Sequence, residues 1–173
     1  NAMMAATLSG AERVIAVDVQ DDKLAFARQL GATDTVNASD PDAVEQVKVL
    51  TKGGVDYAVE LAGVPAALEA GYAMCRRGGT VVTAGLPRPE ATLDVPIAQL
   101  VSDNRTIKGS YMGSCVPRRD IPRFLSLYRQ GKLPVDRLRS GFVDFKGLNA
   151  GFDRLAAGDA VRQVLRPHGT TKV

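Results

Sequence analysis

The stretch Arg13-Val14-Ile15-Ala16-Val17-Asp18 decides the fold class of this chain. Four apolar residues, Val14 to Val17, run without a polar interruption and end in a carboxylate. A short run with no alternation predicts a strand buried on both faces, the habit of a parallel sheet. An acid at the carboxyl end of such a strand faces the crevice where open α/β sheets hold ligands.

The flanking sequence repeats that pattern. Met4 to Gly10 (MAATLSG) predicts the end of a helix, with Ser9-Gly10 as its stop. Arg13 to Val19 is the first strand. Asp21 or Asp22 then caps a helix carrying Leu24, Ala27 and Leu30 at helical spacing, closed by Gly31. Asp34 to Asn37 is a short strand, and Asp40-Pro41 opens a helix that ends at Gly53-Gly54. Val55 to Leu61 is the next strand, followed by a helix from Val64-Pro65 to about Cys75 and closed by Arg77-Gly78-Gly79. Thr80 to Ala84 is a fourth strand. Leu93 to Ala98 carries a short edge segment, then a brief helix through Leu100, and Thr106 to Met112 is a fifth strand. Strands recur about every 20 to 25 residues with helices between most of them, which means βαβ units in a doubly wound parallel sheet.

From Pro117 the pattern changes. A helix from about Arg119 to Gln130 puts Ile121, Phe124, Leu125 and Tyr128 on one face. It is followed by a strand over Gly141 to Phe145, a helix from about Leu148 to Ala157 and a strand over Val161 to Leu165. These elements do not extend the parallel alternation. They predict a return segment over 115–166 behind an α/β domain over 4–114. Asn1-Ala2-Met3 reads as a remnant of tag cleavage, and 167–173 as a polar tail.

Composition removes several function classes. The 173 residues are 45% hydrophobic, enough for a core, with no run near the roughly 18 apolar residues a membrane helix needs. Nothing resembles a signal peptide, so a cytoplasmic protein is expected. The net charge is +3, and Arg76-Arg77 and Arg118-Arg119 lack interleaved aromatic residues, which argues against nucleic-acid binding. Cys75, Cys115 and His168 show no metal-ligand spacing, so no self-contained zinc site is expected. Cys75 is expected to pack as a small hydrophobe, and no catalytic residue is assigned.

Asp18 is the first candidate for binding. A strand-end carboxylate accepts two hydrogen bonds from a ribose diol and repels a 2′-phosphate, which favours NAD over NADP. The plain alternative is a cap on the following helix, with Lys23 a surface charge. In dinucleotide-binding folds a glycine-rich phosphate turn stands about 20 residues before this acid. Here no GxGxxG precedes it. Small residues also follow the other strands: Ala62-Gly63, Ala84-Gly85-Leu86 and Gly109-Ser110. They allow a planar cofactor to approach the backbone, and they equally suit ordinary turns. Glu60, inside an apolar run, and Arg162, before the last strand, are weaker signals.

Together these residues resemble the medium-chain dehydrogenases of the zinc-containing alcohol dehydrogenase type. The similarity runs in order through Gly10 to Asp18 (GAERVIAVD), Lys23 to Asp34 (KLAFARQLGATD), Gly53 to Tyr57 (GGVDY), Gly78 to Val82 (GGTVV), Gly85-Leu86-Pro87, Ile107 to Ser110 (IKGS) and Ala160 to Leu165 (AVRQVL). The resemblance implies a Rossmann-type fold that binds NAD. Asp18 and Lys23 would hold the adenosine ribose, and Ala62 and Gly63 would lie along the cofactor. Ala84, Gly85 and Leu86, with Ser110 and Met112, would flank the nicotinamide, and Arg162 would touch the pyrophosphate. It also implies pairing of the Thr106 to Met112 strand with its twin in a homodimer, or a tetramer of dimers.

In that family the zinc ligands, the first strand and the phosphate turn lie upstream of the part matched here. The expectation is therefore a fragment, inactive alone, of an enzyme that moves hydride between an alcohol or aldehyde and NAD. Three alternatives stand beside it. A zinc-free quinone reductase of the same superfamily usually favours NADPH, against Asp18. A Rossmann-like methyltransferase would not explain the match through Arg162. The third is a non-catalytic dinucleotide-binding or dimerisation module.

Overall fold

The apolar run forms β1, Ile15–Asp18, which pairs in parallel with β2, Asp34–Asn37, so that Asp18 stands opposite Asn37. The structure, a computed structural model, describes residues 1–167, and His168 lies outside them. It divides into two compact units, Ala2–Pro122 and the residues from Arg123 onward with Asn1.

In the first unit α1 spans Ala2–Leu8, so two of the residues read as a tag remnant are helical. Helix α2, Asp21–Gln29, returns the chain from β1 to β2 and buries Leu24 and Ala27. Its N-cap is Gln20, with no capping side chain; Asp21 and Asp22 sit in the first turn, where their charge suits the helix dipole. Helix α3 runs Ala43–Thr51, later than Asp40-Pro41, because Ala43 N–H first closes a turn onto the Asp40 carbonyl.

A second parallel sheet has the order β3-β4-β5, from Val55–Glu60, Cys75–Thr83 and Thr106–Gly109. Helix α4, Pro65–Met74, joins β3 to β4 and has proline in its first turn. Strand β4 starts at Cys75 rather than Thr80. Cys75 pairs with Val55, and the neighbouring Arg76 makes an ion pair with Asp56 at 2.7 Å, so Gly78-Gly79 lies inside the extended segment. No strand forms over 93–96; that segment leads into α5, Ile97–Ser102.

The chain is α/β, a Rossmann-type sheet with one strand position unfilled. A doubly wound sheet has strand order 3-2-1-4-5-6. Here β2-β1 matches the first two places and β3-β4-β5 the last three. Among the described residues no ladder joins β1 to β3. The two sheets share a core instead: Val36, Ala43, Val47 and Met74 are buried together, with Ile15 of β1 and Val55 of β3 packed against them. A second cluster packs Tyr72 of α4 against Cys75 and Val81 of β4. The expectation that β1 is buried on both faces fails. Val17 is 39% exposed because β1 has a ladder partner on one side only.

Helix α6, Pro117–Arg129, carries the predicted apolar stripe, but Ile121, Phe124, Leu125 and Tyr128 are 40 to 52% exposed. The other unit contains β6, Arg139–Val143, α7, Leu148–Ala157, and β7, Arg162–Leu165. Strands β6 and β7 pair in parallel, so this segment makes a βαβ unit of its own. Gln163 anchors the crossover by donating from Nε2 to the Gly151 carbonyl of α7 at 2.6 Å.

Candidate functional site

Parallel strands bring all their carboxyl ends to one edge of a sheet, and the candidate residues of the first unit sit at those ends. Asp18 closes β1. Its Oδ1 accepts the Gln20 N–H at 3.0 Å, and among the described residues its second oxygen holds no partner. One carboxylate oxygen therefore supports the turn into α2 while the other can accept a ligand hydroxyl. Lys23 is half-buried in the first turn of that helix, as the sequence places it.

The ends of β3 and β4 meet. Gly63 has φ +70°, and a Cβ there would lie 3.1 Å from the Leu86 carbonyl oxygen. A Cβ on Gly85 would lie 2.3 Å from Gly63 N. The turns Ala62-Gly63 and Ala84-Gly85-Leu86 thus abut by backbone alone, which only glycine permits at both places. Leu86 is 82% exposed at the edge of this floor. Ser110, just beyond β5, joins it by donating its N–H to the Thr83 carbonyl at 2.9 Å.

Two expected members behave differently. Met112 is not in a strand: β5 stops at Gly109, and Tyr111–Ser114 forms a tight helical turn with Met112 and Gly113 at φ +49° and +66°. Its side chain is 67% exposed. Arg162 belongs to the other unit, on β7, where its guanidinium donates to the Val161 carbonyl at 3.1 Å.

Glu60 carries more of this site than its sequence signal suggested. It is 6% exposed, accepts the Gly63 N–H on Oε1 at 2.6 Å and accepts the Thr83 hydroxyl on Oε2 at 2.7 Å. Thr83 had no signal in the sequence at all. Beside them Glu60, Gly63, Val64, Pro65, Leu68 and Thr83 line part of an open hollow of about 80 Å³.

The donors do not fit a zinc ion. Among the described residues no group of three or more His, Cys, Asp or Glu side chains is placed to hold a metal. The Cys75 thiol is buried, pushed up from its ordinary pKa by that burial, and donates to the Gly71 carbonyl at 3.3 Å. Cys115 stands apart near Asp120. A dinucleotide does fit: the free Asp18 oxygen and the side-chain-free turns at Gly63 and Gly85 are what a ribose and a flat ring require.

A family model described as zinc-binding dehydrogenase matches residues 1–130. The chain belongs to the zinc-binding dehydrogenase family. Among family relatives, it is 34% identical over 167 residues to a probable S-(hydroxymethyl)glutathione dehydrogenase 1 of Schizosaccharomyces pombe, covering 95% of this chain and 44% of that protein. Benzyl alcohol dehydrogenase of Acinetobacter calcoaceticus superimposes with a TM-score of 0.91 at 34% identity, over 95% of this chain and 45% of its own. An alcohol dehydrogenase zinc-binding domain protein of Burkholderia ambifaria does so with a TM-score of 0.92 at 36% identity, over 96% and 45%. The chain therefore spans a little under half the length of these dehydrogenases. Among the described residues no helix is long and apolar enough to cross a membrane.

Proposed function

We propose that this chain is the NAD-binding part of a zinc-dependent alcohol dehydrogenase and that, in the complete enzyme, it presents NAD to an alcohol or aldehyde. The observation that carries the reading is Asp18, a strand-end carboxylate with one oxygen already fixed by Gln20 and the other open. Asp18 and Lys23 take the adenosine ribose. Ala62 and Gly63 lie along the cofactor, and Ala84, Gly85, Leu86, Ser110 and Met112 flank the nicotinamide.

When bound, the nicotinamide supplies the hydride acceptor. The work of this chain is to bind and orient it. A floor without side chains at Gly63 and Gly85 lets the cofactor approach the backbone, and the exposed Leu86 covers its edge against water. In this reading the metal ligands belong to the rest of the enzyme, as in the family's longer members, and the chain alone turns over no alcohol.

The test is a calorimetric titration of NAD and NADP into the chain and into Asp18→Asn. NAD binds the unmodified chain more tightly by about tenfold, equivalent to about 1.4 kcal/mol, and the substitution narrows the gap. Tighter binding of NADP overturns the role given to Asp18.

A further inference from the structure

We infer that Glu60 is a positioning residue for the cofactor, the brace that holds the two strand-end turns at the spacing the dinucleotide needs. The inference rests on the NAD-binding reading above and adds a residue to it. Three strands of observation converge on this side chain.

It bonds to both turns at once. Oε1 takes the Gly63 N–H of the turn after β3, and Oε2 takes the hydroxyl of Thr83, the last residue of β4. The main-chain carbonyl of the same residue accepts the Ala84 N–H at 2.9 Å. One residue therefore reaches the end of its own strand, the end of the next strand and the floor residue that follows.

At the point where the turns touch, Gly63 and Gly85 have no side chains to set their distance. Gly63 and Gly85 touch through backbone atoms, and a Cβ built on Gly85 would also lie 3.0 Å from Glu60 Oε2. With nothing interlocked between the turns, their spacing depends on a third group bonded to both.

The group is buried, and among the described residues no cation pairs with it. A buried carboxylate without a counter-charge is costly, and hydrogen bonds to both oxygens are what offset that cost. A carboxylate offers only acceptors, so it meets two donors from two directions without regard to which oxygen faces which. Glutamine keeps this geometry if its oxygen faces Gly63 and its amino group faces the Thr83 oxygen. Alanine keeps neither side-chain bond and leaves only the main-chain bond to Ala84.

The experiment compares the unmodified chain, Glu60→Ala and Glu60→Gln by amide hydrogen exchange and by NMR titration with NADH. In Glu60→Ala, exchange at Gly63 accelerates by about tenfold or more while Val36 and Val81 keep their protection, and the NADH dissociation constant rises by about tenfold. In Glu60→Gln both quantities return to within about twofold of the unmodified chain. Unchanged exchange in Glu60→Ala, an equal loss of protection at Val36 and Val81, or a failure of glutamine to restore binding overturns the brace. An unmodified chain that shows no NADH-induced shift overturns the NAD-binding reading itself. In that case the exchange rates alone judge whether Glu60 holds the turns.

Discussion

At Gly85 a single added methyl group meets backbone on arrival. The nearest atoms are Gly63 N at 2.3 Å and Gly63 Cα at 2.6 Å, which cannot swing away as a side-chain tip can. Gly85→Ala is expected to lower stability by about 1–3 kcal/mol in urea unfolding. Gly109→Ala, with nothing within 4 Å of its added Cβ, stays within about 0.5 kcal/mol. Equal effects at the two glycines would show that the turns do not abut. Asp120 gives a pH dependence. The Arg119 guanidinium at 2.7 Å, then the Val116 N–H at 2.8 Å, hold its carboxyl well below the usual range. Because the folded value is the lower one, the stabilisation is fully present above the unfolded value of about 3.9 and is lost as pH falls through the folded value. Acid titration of stability should therefore flatten in Asp120→Asn below about pH 4. An unchanged acid limb would remove Asp120 from the account. The place of Asp18 at the end of a strand was legible in the sequence because a carboxylate ending an apolar run is a local pattern. Thr83 was not, because its partner lies 23 residues away.

Among the elements, β2 and α7 fall on the bounds that their sequence pattern dictates. Strand β4 does not. Gly78-Gly79 looks like a stop in one dimension, and only the ladder to Val55 and the Asp56–Arg76 pair make it extended. Strand β5 ends earlier than its apolar pattern because Met112 and Gly113 turn into positive φ. What remains, Thr106–Gly109, pairs with β4 on one side and is the edge of its sheet. An uncovered edge invites another strand, and a two-fold partner brings the same edge antiparallel. Sedimentation at tens of micromolar should show a dimer joined there. A monomer at that concentration would count against β5 as the seam.

For the whole molecule, the alternation of strands and helices was legible along the chain, and the empty place of the first strand was legible only through the family resemblance. Alternation by itself says that parallel units exist; the missing first strand, read from the resemblance, is what interrupts the sheet between β1 and β3. That interruption has a kinetic meaning. Among the described residues every ladder joins strands that are consecutive in the chain, β1 with β2, β3 with β4, β4 with β5, β6 with β7. Each ladder closes one helical crossover of about 20 to 26 residues, as between Ile15 and Asp34 or Thr80 and Thr106, so each half-sheet is assembled from its own stretch of chain. The half-sheets β1-β2 and β3-β4-β5 are expected to be separate foldons, coupled through helix α3 and the cluster of Val36, Val47 and Met74 on which Ile15 and Val55 pack. Native-state exchange under rising urea should show Ala16 and Val36 opening at a different concentration from Val59 and Val81. One common opening would mean that this small cluster alone welds the halves into a single cooperative unit.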